Sequence, residues 1–148
     1  MEDWIDPSWG DATLGVRAHE PRTAEREHSA AVHLTSSFVF ESAAQAAAVF
    51  TGAEPGNIYS RFTNPTVAAF EKRLAAMEGG DACVATASGM AAVMSTVLAL
   101  LKAGDHIVCS RTVFGSTINL FNNVFARFGV ATTYVDPADH AAWAKAMR

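Results

Sequence analysis

Hydrophobic and polar positions follow two different patterns along the chain. The first 36 or so residues mix charges of both signs, contain Pro7 and Pro21, and show no sustained period of 2 or 3.6. We therefore expect an arm rather than a core, with Trp4 and Trp9 exposed on it. Such side chains normally lie on a surface, either that of their own domain or that of a neighbouring subunit, and a frayed terminus is the alternative.

Helix signals begin after the arm. Residues 42–50 are rich in alanine and begin with Ser42, a plausible N-cap, so a short helix is predicted there. The next helix has Asn64 as its cap, Pro65 in its first turn and Gly79 just past its end. Its apolar residues recur on one predicted face: Val67, Phe70, Leu74 and Met77.

Strand and helix patterns then alternate. Short apolar runs at 82–86, 106–110 and 130–135 predict three strands. Between them, residues 90–101 predict a helix that is apolar nearly all round and must be buried on several sides, and residues 116–128 predict another helix. Asp136 and Pro137 are expected to open a last helix. This order predicts an α/β fold with a mainly parallel sheet flanked by helices.

Composition and charge exclude several function classes. The 148 residues carry a net charge of −4, and no run of basic residues occurs, so we expect no nucleic-acid partner. The longest apolar stretch, 90–101, is shorter than the roughly 18 residues of a membrane span, so no membrane partner is expected. The acidic N-terminus lacks the basic and then apolar segments of a signal peptide, which favours a cytoplasmic protein.

Cysteine and histidine spacing argues against a metal site. Cys83 and Cys109 lie in predicted strands without a CxxC motif, so we expect buried free thiols. The five histidines form no i,i+4 pair and no cluster with cysteine, and no metal is predicted.

Candidate chemistry lies in the two loops that follow predicted strands. In "TASGMAAV", the amides of Gly89 and Met90 would point outward from the start of a helix, which is a seat suited to phosphate. The alternative is an ordinary packing turn in which Ser88 only caps the helix. In the second loop, Phe114 could cover a planar ligand or could simply belong to the core.

The turn "YSR" stands just upstream of the Asn64 cap. Arginine's planar fork and a tyrosine phenol would complete the shell of a phosphate, so Tyr59 and Arg61 are candidate ligands. The alternative is a surface turn in which Arg61 pairs with a carboxylate such as Glu54 or Glu78.

Two long segments carry a resemblance. "GNIYSRFTNPTVAAFEKRLAAMEGGDACVATASGMAAV" and "LLKAGDHIVCSRTVFGSTINLF" resemble the Cys/Met-metabolism family of enzymes that depend on pyridoxal 5'-phosphate (PLP), the relatives of cystathionine γ-synthase. The resemblance runs from about residue 30 to the end. "RTVFGSTINLF" is most similar to the O-succinylhomoserine sulfhydrylase branch, since synthases and lyases of the family usually have tyrosine where this chain has Phe114.

The resemblance implies a fold and a cofactor site. The fold would be fold type I (aminotransferase-like), with residues 1–50 as arm and first helix and 51–148 as the first part of an incomplete large PLP-binding domain. Ser88, Gly89 and Met90 would hold the PLP phosphate, and Phe114 would stack on the ring. Tyr59 and Arg61 would reach the phosphate in a neighbouring subunit of a homotetramer built as a dimer of dimers.

The implied reaction is γ-replacement, in which O-succinylhomoserine and sulfide give homocysteine in methionine biosynthesis. A cystathionine γ-synthase, a γ-lyase or an O-acetylhomoserine sulfhydrylase of the same family is an alternative, and so is a truncated noncatalytic piece. None of the three lysines, Lys72, Lys102 and Lys145, stands in the family's Schiff-base motif. We therefore expect no catalytic residue in this chain and no activity from the chain alone.

Overall fold

The computed structural model describes residues 5, 6, 8–18 and 23–148, and Trp4 and His19 lie outside this set. The chain divides into two compact units, Met1–Ala85 and Thr86–Arg148. The following paragraphs treat each unit by itself.

The first unit contains three helices. They are α1 (Asp11–Arg17), α2 (Ala43–Phe50) and α3 (Pro65–Glu78). Two predicted caps are confirmed, because Ser42 Oγ accepts from the Gln45 amide and Asn64 Oδ1 accepts from the Thr66 amide. Gly79 ends α3 with a φ of 64°, a left-handed conformation that glycine adopts without a steric penalty.

Helix α1 was not predicted, and it packs against α3. A Cβ on Gly15 would lie 3.2 Å from Met77 Sδ, so the two helices approach closely where α1 has no side chain. Half-buried Trp9 helps to line a cavity of about 660 Å³ beside α3, together with Leu14 and Cys83. The described part of the arm therefore rests on its own unit.

One prediction for the first unit is wrong. Residues 82–85 pair with no strand among the described residues, and the Ala85 amide donates instead to Glu71 Oε1 at 2.7 Å. Val84 is 82 % exposed there, because an extended segment becomes a strand only when a neighbouring strand completes its ladder. On the predicted apolar face of α3, Val67 and Phe70 are exposed, whereas Leu74 is half-buried.

The second unit is built on a parallel pair of strands. It consists of α4 (Gly89–Leu100), β1 (His106–Ser110), α5 (Gly115–Asn123), a 3₁₀ turn (Phe125–Phe128), β2 (Ala131–Val135) and α6 (His140–Ala146). β1 and β2 pair in parallel with His106 opposite Ala131 and Ser110 opposite Val135. The α/β class with a parallel sheet is thus confirmed, and both strands were predicted.

The core of the second unit lies under this sheet. Cys109, Phe121, Phe125 and Val130 are buried together, and Val93 and Val97 of α4 pack against them. Burial raises the pKa of the Cys109 thiol, because a thiolate would lose its hydration there.

Three details of the second unit differ from expectation. α4 is not buried on several sides, since Met94, Leu98 and Leu100 are exposed and only one side of the helix meets the core. The helix predicted over 116–128 ends at Asn123 and continues as a 3₁₀ turn, with Phe128 exposed. The last helix is capped by Asp139, whose carboxylate accepts from the Ala142 amide, rather than by Asp136.

Among the described residues, no helix is long and apolar enough to cross a membrane. Within the same residues, no three His, Cys, Asp or Glu side chains gather as a metal-binding group would require.

Candidate cofactor site

The turn upstream of α3 is tightly hydrogen bonded. The amides of Phe62 and Thr63 both donate to the Tyr59 carbonyl, at 2.8 and 3.0 Å. Tyr59 also forms an isolated antiparallel bridge with Ser37. A two-sided backbone framework therefore fixes the turn that carries the candidate phosphate ligands.

Arg61 stacks on aromatic neighbours in this turn. Its guanidinium carbon lies 5.1 Å from the centre of the Tyr59 ring and 5.6 Å from that of Phe62, within the range of a cation–π interaction. No ion pair joins Arg61 to Glu54 or Glu78 in the described part of the chain, and Glu54 accepts instead from Gln45 Nε2. The guanidinium is thus stacked on two rings, and no described carboxylate forms an ion pair with it.

The start of α4 offers two amides. Ser88 caps the helix, because its Oγ accepts from the Ala91 amide at 3.1 Å, and its carbonyl accepts from Ala92. The amides of Gly89 and Met90 precede the first intrahelical bonds, and no acceptor among the described residues meets them. They stand at the positive end of the helix dipole.

Open space adjoins these amides. A Cβ built on Gly89 would meet no atom within 4 Å, so the packing of this chain does not require glycine at that position. Gly89 also has no positive φ that would demand glycine. An anion of phosphate size could therefore approach the backbone there without displacing protein atoms.

Phe114 stands at the start of α5, a helix whose first turn contacts Met90. It immediately precedes α5 and follows the carboxyl end of β1, and its side chain is 72 % exposed, which rules out the alternative of a core phenylalanine within this chain. The Thr117 hydroxyl, in the first turn of α5, donates to Met90 Sδ at 3.8 Å. The starts of α4 and α5 are therefore adjacent at the carboxyl edge of the parallel strands, where α/β sheets bind ligands.

The predicted site residues thus fall into two sets. Ser88, Gly89, Met90 and Phe114 belong to the second unit and converge at one edge of its sheet. Tyr59 and Arg61 belong to the first unit and share one turn. In the second unit, amides without a described acceptor are suited to a phosphate group and an exposed aromatic ring to a flat ring; in the first unit, a guanidinium fork is suited to an anion.

Residues 12–148 match the Cys/Met metabolism PLP-dependent enzyme family. The chain belongs to this family. The residues present fit its cofactor, since the Gly89 and Met90 amides are donors that a phosphate can use and a Cβ at position 89 would meet no atom within 4 Å.

Curated proteins similar to this chain include a sulfhydrylase and a lyase. O-succinylhomoserine sulfhydrylase of Pseudomonas aeruginosa is 54 % identical over 136 residues, which are 92 % of this chain and 34 % of that protein. An L-methionine gamma-lyase of Fusobacterium nucleatum is 39 % identical over 88 % of this chain and 33 % of that protein. The chain therefore spans about a third of the length of the curated relatives that it matches.

A solved structure confirms the fold class. A putative O-acetylhomoserine (thiol)-lyase of Campylobacter jejuni, whose structure contains a pyridoxyl-lysine-phosphate, superposes with a TM-score of 0.86 at 32 % identity. The match covers 95 % of this chain and 34 % of that one.

Sequence reasoning missed the side-chain network behind the YSR turn. Asn64 was expected only as a helix cap, yet its amide nitrogen also donates to the His33 carbonyl and to Ser60 Oγ. The local sequence shows the cap but not these bonds, because His33 lies 31 residues away along the chain.

Proposed function

We propose that this chain is the N-terminal third of a PLP-dependent enzyme that converts O-succinylhomoserine and sulfide to homocysteine. Residues 1–50 would supply the arm and first helix, and residues 51–148 the first part of the cofactor-binding domain. The observation that carries the proposal is the start of α4, where two amides without an acceptor among the described residues adjoin open space and Met90 contacts the first turn of α5, the helix that exposed Phe114 precedes. The 54 % identity to a sulfhydrylase supports the choice of reaction.

The start of α4 would bind the cofactor phosphate. The Gly89 and Met90 amides would donate to its oxygens, and the Ser88 hydroxyl, whose oxygen already accepts from Ala91, would donate its own proton. Phe114 would lie against the pyridine ring. A phenyl group holds the ring in place but has no proton to transfer, so any acid or base role belongs to other residues.

The YSR turn would complete the phosphate shell from a neighbouring subunit. Tyr59 and Arg61 are exposed on a turn that their own unit holds rigidly, and no described carboxylate neutralises Arg61. A second copy of the protein would present these groups to the phosphate, which is why we propose a homo-oligomer, a dimer of dimers. A guanidinium and a phenol would then offset charge that the amides leave exposed.

Bound PLP would draw electrons from the substrate's α-carbon, so that succinate can leave from the γ-carbon and sulfide can add there. Within this scheme, the residues of this chain bind and orient the cofactor and exclude water from its phosphate. Lys72, Lys102 and Lys145 lie on or beside helices in sequence contexts unlike the family's Schiff-base motif. We therefore place the catalytic lysine outside these 148 residues and expect no activity from them alone.

A substrate comparison tests the proposal. The PLP-loaded enzyme that contains this chain should be supplied with sulfide and either O-succinylhomoserine or O-acetylhomoserine, and homocysteine measured by mass spectrometry. We expect the succinyl ester to react with the higher kcat/KM. Preference for the acetyl ester, or release of a 2-oxo acid from methionine without any ester, would instead assign the chain to another member of the family.

A second measurement tests the placement of the lysine. The 148-residue chain should be incubated with PLP, treated with borohydride, and weighed intact. We expect no stable adduct at a single site. A stoichiometric adduct on one of its lysines would contradict the proposal that the catalytic lysine lies elsewhere.

A further inference from the structure

Asn64 is a buried polar side chain whose hydrogen-bonding groups are all used. It is 8 % exposed. Its Oδ1 accepts from the Thr66 amide at 2.8 Å, and its Nδ2 donates to the His33 carbonyl at 3.2 Å and to Ser60 Oγ at 2.9 Å. A helix cap needs only the first of these bonds, so the two Nδ2 bonds serve another purpose.

Ser60 connects this network to the YSR turn. Its hydroxyl donates to the Thr35 carbonyl while its oxygen accepts from Asn64. Its amide donates to the Ser36 carbonyl at 2.9 Å. With its proton already donated and its oxygen engaged, Ser60 is held toward the 33–37 segment and is not available as a phosphate ligand.

The fixed position of Ser60 orients its two neighbours. Its amide bond to Ser36 adjoins the bridge between Tyr59 and Ser37, and Ser60 opens the turn in which the Phe62 and Thr63 amides donate to the Tyr59 carbonyl. Its two neighbours Tyr59 and Arg61 are both exposed, and the Arg61 guanidinium lies over the phenol ring. The bond from Asn64 to Ser60 thus holds the middle residue of a three-residue unit whose outer residues are the candidate ligands.

We propose that Asn64 is a positioning residue for cofactor binding: through Ser60 it orients Tyr59 and Arg61 toward the phosphate. This inference rests on the proposed function, because it assumes that these two side chains bind PLP. It adds a residue that touches neither the cofactor nor the substrate. The Asn64 side chain would couple the start of α3 to the phosphate shell.

Asn64→Asp separates the helix cap made by Oδ1 from the hydrogen bonds made by Nδ2. Aspartate keeps an oxygen for the Thr66 amide and is as good a cap as asparagine, but it has no N–H for His33 or Ser60. In the PLP-loaded oligomeric enzyme, we expect the dissociation constant for PLP to rise about tenfold, which corresponds to the loss of one or two hydrogen bonds. Ser60→Ala removes the same link from the other side without placing a carboxylate in a buried position, and it should give a similar rise.

A double-mutant cycle tests whether Asn64 affects PLP affinity through Arg61. If Asn64 acts through Arg61, then Asn64→Asp should weaken PLP binding much less in an Arg61→Ala background than in the wild-type background. Fully additive effects would overturn the inference. So would an unchanged PLP affinity in both Asn64→Asp and Ser60→Ala while Arg61→Ala weakens binding, an outcome that leaves the proposed function intact.

The same variants also test the assumption that Tyr59 and Arg61 bind PLP. An unchanged PLP affinity in Arg61→Ala would refute the clamp itself, and with it the role of Asn64. Ser42→Ala is the matched control for a general loss of stability, because it removes the cap of α2 at a position away from the turn. We expect it to lower the Tm and to leave PLP affinity unchanged, and a loss of affinity equal to that of Asn64→Asp would overturn the positioning role.

Discussion

Gly89→Ala should move protein stability and cofactor affinity in opposite directions. In this chain a Cβ at position 89 meets no atom within 4 Å, and the backbone there has no positive φ. Alanine therefore adds no clash and reduces the conformational entropy of the unfolded chain. We expect the apo protein to gain up to about 1 kcal/mol of folding free energy.

The same methyl group should weaken PLP binding. It would occupy the open space beside the Gly89 and Met90 amides and keep the phosphate from at least one of them. A hydrogen bond to a charged group contributes roughly 1.5–3 kcal/mol, so the dissociation constant should rise about 10- to 150-fold. This rise in the dissociation constant is measured by titrating the apoenzyme with PLP and monitoring its visible absorbance.

Thermal unfolding of the apo protein measures the expected gain in stability. Gly115→Ala is the matched control for stability, because Gly115 also opens a helix and a Cβ there would also meet no atom. Both variants should therefore raise or preserve the Tm. An unchanged PLP affinity in Gly89→Ala would refute the phosphate seat, and a lower Tm would refute the packing argument.

Three further predictions concern the second unit. Phe125→Ala should lower the free energy of unfolding by about 3–5 kcal/mol in urea titrations, because this ring is 1 % exposed, whereas Phe128→Ala should cost well under half as much at 63 % exposure. Phe114→Tyr should leave PLP affinity within about threefold of wild type, since both rings stack, and a larger loss measured by PLP titration would contradict the stacking role. Burial raises the pKa values of Cys109 and Tyr134. Their contribution to stability is therefore fully present below about pH 9 and is lost as the pH rises through the folded-state pKa values. Urea titrations at several alkaline pH values should show this decline, and Cys109→Ala should reduce it.

Local signals predicted most helix starts and both strands. Ser42, Asn64 and Ser88 each cap a helix through a bond to an amide two or three residues ahead, so a few adjacent residues contain the whole interaction. Elements that depend on distant partners were predicted less well. Helix α1 has only seven residues and contains a glycine, and its stability comes from packing on α3 rather than from its own sequence.

Burial was harder to predict than secondary structure. The apolar residues of α4 were expected to be covered on several sides, but the core of the second unit meets only Val93 and Val97, which leaves Leu98 and Leu100 exposed. Similarly, the apolar run at 82–86 has the composition of a strand but no described partner. Periodicity reports that a residue can be buried, whereas the presence of a covering element decides whether it is.

The candidate site shows the same division between local and distant information. The amides at the start of α4 could be predicted from the sequence, because a cap followed by glycine leaves the first N–H groups free wherever the helix lies. The direction of Tyr59 and Arg61 could not. In our proposal it depends on Ser60, whose partners Thr35 and Ser36 lie 25 and 24 residues earlier along the chain, and on the buried amide of Asn64. A motif can thus name the ligands of a phosphate, but the tertiary contacts of the residue between them determine whether they face it.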